Sequence, residues 1–342
     1  MKRLLVIRLG ALGDLIHVSP SLEAVKRANL QMEIHLLTSP TYQVLAEMIP
    51  AVDRVWAFDK RQGWSGLFRL ARQLRQAGID GVVNLHPSFK SWLLTRLIAP
   101  EKAATYRKEK LKSKGKAQRA VSRRHAVADF FLPFSQLLAI AQPTELIPVL
   151  ALPEASTSLP FPHKPYGEQW VGLIPGVGAK RSNRAWEPAA YGGLIQKLLL
   201  KPGVKVLLIG GPDEKVLADS LLTQLSNMAE AKERLENHCG RHDIPGTARL
   251  LAQCDLVIGG DTGPMHLAAA VGAKLVAIYG PTSLQRTGPI PHGAMVALTP
   301  SDGLECWPCE LPECPYTGEQ HLACMRQISV DAVYTACEAL LR

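Results

Sequence analysis

The stretch from Leu256 to Gly280 constrains the fold more than any other part of the chain. An apolar run, LVI, ends in Gly259 and Gly260; the small-residue segment PMHLAAAVG follows, and a second apolar run, LVAIYG, closes it. Runs this short and apolar read as buried strands, and Met265, Leu267, Ala268 and Ala269 begin a helix between them. Strands joined by a helix in this way form a parallel βαβ unit with a right-handed crossover. The turn after the first strand leaves the backbone amides around Thr262 and Gly263 at a helix N-terminus, where an anion can dock. Asp261 and His266 add titratable side chains beside it. Each has a bland reading as a satisfied structural residue and a functional one, in which Asp261 holds a sugar hydroxyl and His266 a phosphate.

The same alternation runs through the whole chain. Strand-like segments near 4–9, 34–37, 54–58 and 82–86 are separated by helical ones from about Ser19, Thr41 and Leu67, and the segment 119–141 reads as a helix or helix pair. Between Pro143 and Tyr166 the composition turns to Pro, Ser and Thr, the signature of a linker. A second alternation follows, with strands at 171–175, 204–210, 256–258 and 275–280 and helices after Pro188 and Pro212. The expected architecture is α/β, with two Rossmann-like α/β/α domains whose strand ends share a central cleft. The expected spans are 1–155 and 156–328, closed by an amphipathic helix over 329–342 with Ser329 as its cap.

Size and charge narrow the classes further. A chain of 342 residues with 47% apolar residues can fill two cores. No apolar stretch approaches the roughly 18 to 20 residues of a membrane span. Charge returns at Arg8 and Asp14 before a signal-peptide core develops, so cytoplasmic residence is expected. Of the formal charge of +9, most lies between Glu101 and Arg124, where ten Lys or Arg face two Glu. That stretch reads as a solvated face or as a surface for an anionic acceptor or membrane. Nucleic acid is disfavoured, because Tyr106 is its lone aromatic and no base-reading motif accompanies it.

Three more constellations carry chemistry. In RLGALGDLIHVSP, Gly10 and Gly13 allow a tight turn, but the spacing is not G-x-G-x-x-G, which disfavours a nicotinamide dehydrogenase. Asp14 there either takes a proton from a substrate hydroxyl or caps its own turn. In IPGVGAKRSNRAWEP, Lys180, Arg181 and Arg184 follow a glycine loop and are placed to meet a diphosphate, although no Walker loop is present. Asp213 and Glu214, after Gly210 and Gly211, serve as partners of a helix dipole or bind ribose hydroxyls. Finally, Cys306, Cys309, Cys314 and Cys324 have the ligand number of a structural zinc or iron site, with His321 as a substitute ligand; reduced packed thiols and disulfides are the alternatives. Cys239, Cys254 and Cys337 read as core residues.

Three motifs in order, IRLGALGDLIHVSPSL, PGVGAKRSNRAWEP and DLVIGGDTGPMHLAAAVGAKLVAIYGPT, make the chain resemble the heptosyltransferase family, glycosyltransferase family 9, over nearly its whole length. The resemblance implies a GT-B fold and inverting transfer of L-glycero-D-manno-heptose from ADP-heptose to the inner core of lipopolysaccharide, with no cofactor required for catalysis. It implies Asp14 as general base on the acceptor, with Gly13 beside it, Arg184 and Lys180 on the nucleotide phosphates, Asp261 on the donor sugar, and Thr262, Gly263 and His266 on the diphosphate side. The basic stretch 102–124, with Lys110, Lys112 and Lys114, is the expected grip on an anionic acceptor at the inner membrane face, a peripheral contact. The middle motif departs from the family in reading Arg-Ala-Trp-Glu-Pro where Lys-x-Trp-Pro is common, and Ser19 stands where Thr is common. Another nucleotide-sugar or acceptor, or a noncatalytic nucleotide-sugar-binding protein, are the alternatives.

Overall fold

Alternating apolar stretches and amphipathic segments become two parallel, helix-covered sheets. The structure, a computed structural model, describes residues 1–107, 124–152, 162–176, 179–301 and 304–342, with the side chains of 179–181 left out. The chain divides into two compact units, the first holding the described residues up to 152 and the second those from 162 onward. No helix among the described residues is long and apolar enough to cross a membrane.

The first unit runs β1 (Arg3–Ile7), α1 (Leu12–Ala28), β2 (Glu33–Thr38), α2 (Gln43–Glu47), β3 (Arg54–Ala57), α3 (Gly63–Gln76), β4 (Gly81–Asn84), α4 (Phe89–Ile98), β5 (Lys102–Thr105) and α5 (Ala126–Leu138). Its strands are all parallel, in the order β3-β2-β1-β4-β5. Leu4 through Ile7 of β1 are fully buried, as a central strand covered on both faces must be. On one face, Leu5, Ile7, Leu37 and Val82 pack against Leu67, Leu70, Ala71 and Leu74 of α3 and Leu94 and Ile98 of α4. Each fully buried leucine there contributes roughly 1.5–3 kcal/mol. From β1 the chain winds to β2 and β3 on one side, then returns to β4 on the other, so the order reverses between β1 and β4.

The second unit runs β6 (Gln169–Ile174), α6 (Pro188–Leu199), β7 (Val204–Leu208), α7 (Lys215–Gln224), α8 (Ala229–Arg234), β8 (Leu235–Asn237), α9 (Ile244–Gln253), β9 (Leu256–Gly260), α10 (Gly263–Ala270), β10 (Leu275–Ile278), α11 (Leu284–Thr287), β11 (Met295–Leu298), α12 (Ala323–Arg326) and α13 (Val330–Leu340). All six strands are parallel, in the order β11-β10-β9-β6-β7-β8, with the reversal between β6 and β9. Tyr191, Leu194, Ile195 and Leu198 of α6 pack on the sheet together with Val333 and Cys337 of α13. The buried Trp186 ring meets Tyr191 edge-on at 5.3 Å and donates from Nε1 to the Ile328 carbonyl at 2.9 Å, which fastens the start of α6 to the segment before α13. Ser329 caps α13 by accepting from the Ala332 amide at 3.2 Å.

The two-domain α/β expectation holds, while several short elements differ from the sequence reading. The helix expected over 119–141 spans Ala126–Leu138, and residues 108–123 lie outside the described residues. β5, β8 and β11 are not among the strands expected from the sequence. β5 is KAAT, an exposed edge strand inside the basic stretch, β8 is the three-residue edge strand LEN, too short to show an apolar run, and β11 is the short edge strand MVAL.

Gly259 is where the βαβ unit closes most tightly. A Cβ there would lie 3.0 Å from the Ile174 Cβ and 2.9 Å from the Met265 Sδ. Gly259→Val is therefore expected to cost about 1–3 kcal/mol through overpacking, lowering the thermal midpoint by several degrees in calorimetry; an unchanged midpoint contradicts this packing.

Candidate functional site

Because β6 and β9 are neighbours at the reversal of strand order, the loops that leave their carboxyl ends meet, the position at which open α/β sheets bind ligands. Arg184, at the end of the 3-10 turn Ala179–Arg184, forms an ion pair from Nη1 to Oδ2 of Asp261, the residue after β9. The two side chains are 15% and 8% exposed, so the pair is desolvated. Tyr279, just beyond β10, places its hydroxyl 3.4 Å from Asp261 Oδ1 and 3.3 Å from the Thr287 carbonyl. Burial pushes its phenol well above the usual tyrosine value, and the Asp261 charge adds to this, so it remains a neutral donor. His266 Nε2 lies 4.0 Å from Asp261 Oδ1. Asp261 thus gathers groups from the loops after β6 and β10 and from α10.

Directly after it, Thr262 is the N-cap of α10 in extended conformation, with Gly263 and Pro264 opening the helix. The Thr262 side chain does not cap the first turn. A helix N-terminus beside a guanidinium combines the partial positive charge of the backbone with a full one, which suits a diphosphate. Lys180 belongs to the same 3-10 turn as Arg184; its side chain is outside the described residues.

The 3-10 turn Pro212–Glu214 follows β7, next to β6 in the sheet. Glu214 folds back to accept from the Gly211 amide at 2.8 Å, and a Cβ on Gly176 would fall 2.0 Å from Glu214 Cγ. Glu214 therefore fastens its own turn against the loop after β6, while Asp213 stays exposed.

In the first unit, the equivalent reversal between β1 and β4 holds Asp14, in the first turn of α1. Arg8, just past β1, pairs through Nη2 with Asp14 Oδ2, donates from Nη1 to the Leu85 carbonyl after β4, and lies 4.8 Å over the Phe130 ring. The Asp14 carboxylate also accepts from the Ala11 amide at 3.1 Å. It caps its own turn, yet its side chain is 37% exposed against 11% for Arg8, so it remains open to a reactant. Gly13 precedes it, half-buried, and Gly10 has φ +144° with a Cβ position only 2.8 Å from the Tyr42 ring, a place for glycine alone. Burial holds His86 below the ordinary imidazole value, with Arg8 and Lys60 lowering it further and Asp14 opposing them. Arg8, His86 and Tyr279 escaped the sequence reading; the one available signal was a charge, Arg8, closing an otherwise apolar strand. Lys110, Lys112 and Lys114 lie outside the described residues.

The four clustered cysteines all line one cavity of about 20 Å³ beneath Tyr316 and Leu322. Among the described residues no three His, Cys, Asp or Glu come together in a metal-holding arrangement. Cys314 Sγ accepts from the Leu322 amide at 3.4 Å, Cys309 and Cys324 are buried in packing, and burial first, then the neighbouring sulfurs, push the Cys324 thiol up to about 11. All seven cysteines are free thiols. The segment is anchored instead by Trp307 Nε1 donating to the Gly280 carbonyl at 2.7 Å, Asn183 Nδ2 donating to the Leu311 carbonyl at 2.9 Å, and an Arg286–Glu310 ion pair.

The family model for glycosyltransferase family 9 (heptosyltransferase) matches residues 67–317. The chain is 30% identical over 177 residues to lipooligosaccharide heptosyltransferase 2 of Campylobacter jejuni, a match spanning 52% of each protein. It is 20% identical over 299 residues to the lipopolysaccharide core heptosyltransferase OpsX of Haemophilus influenzae, spanning 84% of this chain and 82% of that one. Among solved structures it is similar to a glycosyl transferase family 9 protein from Veillonella parvula, with a TM-score of 0.78 at 23% identity over 99% of this chain and 97% of the other. It is also similar to E. coli ADP-heptose lps heptosyltransferase II, with 0.77 at 21% identity over 100% and 98%. The iron-containing glycosyltransferase TibC of enterotoxigenic E. coli shares the fold at 0.60 and 14% identity, over 100% of this chain and 76% of that one.

Two predictions follow from the buried charges and imidazoles. Asp261→Asn leaves Arg184 buried without its counter-charge and should cost on the order of 3 kcal/mol in denaturant unfolding, whereas Arg184→Met with Asp261→Leu should recover much of the loss; equal costs for single and double variants contradict the pairing. Burial is the leading cause that holds His86, His238 and His242 below the ordinary imidazole value. The unfolded chain then takes up protons first as pH falls, so stability is full above about pH 7 and declines from about pH 6.5 downward. Urea midpoints at pH 7.5 and 5.5 check this, and a higher midpoint at pH 5.5 contradicts it.

Proposed function

The chain belongs to glycosyltransferase family 9, the heptosyltransferases, and from that premise we propose that it transfers heptose from ADP-L-glycero-D-manno-heptose to a sugar hydroxyl of the lipopolysaccharide inner core, with inversion. The observation that carries the donor half is the Arg184–Asp261 pair at the N-terminus of α10. The names of the Campylobacter, Haemophilus and E. coli relatives support the class of donor and acceptor.

In this reading the diphosphate lies on the Thr262–Gly263 turn. The bond from the anomeric carbon to the phosphate oxygen breaks as the acceptor oxygen attacks from the opposite face, and the charge that gathers on the departing ADP is met by helix amides and by the guanidinium of Arg184. These groups are fixed before the reaction and need no reorganisation as the charge develops. Asp261, itself bonded by the Tyr279 hydroxyl, holds the guanidinium beside the phosphate oxygens. His266 and Lys180 complete the phosphate contacts, Asp261 also reaches the sugar, and Asp213 takes the ribose. Glu214 acts by bracing the turn that carries Asp213.

Asp14 accepts the proton of the attacking hydroxyl, oriented by Arg8 and open on its solvent side. The acceptor is presented at the cytoplasmic face of the inner membrane, with Lys110, Lys112 and Lys114 meeting its anionic groups.

Incubation with ADP-heptose and Kdo-bearing lipid A acceptors, read by product mass, should show one added heptose; stoichiometric ADP-heptose binding with no product on any acceptor overturns the reading in favour of a binding protein. Asp14→Asn should lower the turnover rate by about 10²–10⁴, the usual worth of a positioned general base, while ADP affinity stays at the wild-type value. Undiminished turnover removes Asp14 from the role.

A further inference from the structure

We propose that the outer face of α3 and α4 docks the protein on an anionic phospholipid bilayer. α3 buries Gly66, Leu67, Leu70, Ala71 and Leu74 against the sheet, yet Trp64 and Phe68, one turn apart on its other side, are 49% and 52% exposed. α4 does the same: Ser91, Leu94 and Ile98 face inward, while Phe89 and Trp92 are 65% and 53% exposed. Three of these rings touch across the two helices, Trp64 meeting Phe89 edge-on at 6.2 Å and Phe89 lying 5.7 Å from Trp92. A contiguous aromatic patch held open to water, built on rigid helices that already have their core contacts, marks an interaction surface.

Charge identifies the partner. α3 and α4 carry Arg69, Arg72, Arg75, Lys90 and Arg96 and no acidic residue, and Lys60 and Arg61 precede α3. The Arg61 side chain is 90% exposed though paired with Asp59, and the Lys90 ammonium sits 5.5 Å over the Trp64 ring. A groove of about 270 Å³ between the two helices is lined by Phe68, Ala71, Arg72, Arg75, Gln76 and Leu97. Exposed aromatic rings on helices whose charges are all cationic, with a groove lined by apolar and guanidinium side chains together, match the boundary between acyl chains and anionic headgroups. Tryptophan and phenylalanine enter that boundary while Lys and Arg reach the phosphates. A second copy of the chain fits poorly, because a two-fold interface would set this cationic face against itself.

The proposal deepens the acceptor half of the reading above. Its test uses neither donor nor acceptor, so it stands or falls separately from heptose transfer. The full chain should float with vesicles of phosphatidylcholine and phosphatidylglycerol, remain behind with phosphatidylcholine alone, and release as salt is raised. Trp64→Ser with Phe89→Ser and Trp92→Ser, and separately Arg72→Gln with Arg75→Gln, should each weaken vesicle binding about tenfold or more, with wild-type circular dichroism and ADP affinity. The arginine pair keeps the test decisive if the aromatic variant misfolds. Wild-type protein that ignores anionic vesicles, folded variants that bind them as wild type does, or a dimer that the aromatic variant splits with no vesicle binding would each overturn the proposal.

Discussion

The buried ion pair between Arg184 and Asp261 is the constraint on which the second unit's proposed donor site rests. Strand order reverses between β6 and β9, so the two loops that leave those strands are forced together, and each delivers one charge to the meeting point. A desolvated pair of this kind is weak evidence for stability, since apolar residues of similar size hold a core equally well. Its position explains it better. The pair fixes a guanidinium at the start of α10, where the backbone already carries partial positive charge, and Tyr279 contributes a donor that burial keeps neutral.

The first unit uses the same device with one change. An arginine just past the central strand grips a carboxylate in the first turn of the following helix, and its second nitrogen reaches across the reversal to the loop after β4. The difference is exposure. Asp261 is mostly buried beside Arg184 and positions a cation, whereas Asp14 keeps a solvent-facing side. One construction principle thus yields a binding element in one unit and a proposed base in the other.

Sequence alone revealed the central strands, because a parallel strand covered on both faces must be an unbroken apolar run, as LLVI and LVIGG are. Edge strands such as KAAT and LEN escape this logic: the first is largely exposed, the second is three residues long with polar side chains at two of them, and the composition of both is that of a loop. Asp14, Arg184, Asp261 and the Thr262–Gly263 turn stood out because charged and glycine residues at strand ends are conspicuous against apolar neighbours. Which of them touch was not legible, since the Arg184–Asp261 pair spans 77 positions and depends on the order of strands in the sheet. Tyr279 is hidden for the opposite reason, reading as one more apolar residue at the end of LVAIY. The cysteine cluster was legible as a group, and all four of its members line one cavity. The aromatic face of α3 and α4 was silent, because a helix turning two rings outward has the composition of one that buries them.

The most direct test of the proposed donor site is amide spectroscopy of the isotopically labelled chain during titration with ADP. Binding at the start of α10 predicts that the largest shifts fall on the Thr262 and Gly263 amides and on the Arg184 guanidinium. Saturable ADP binding that leaves those resonances unmoved and perturbs another region would contradict it.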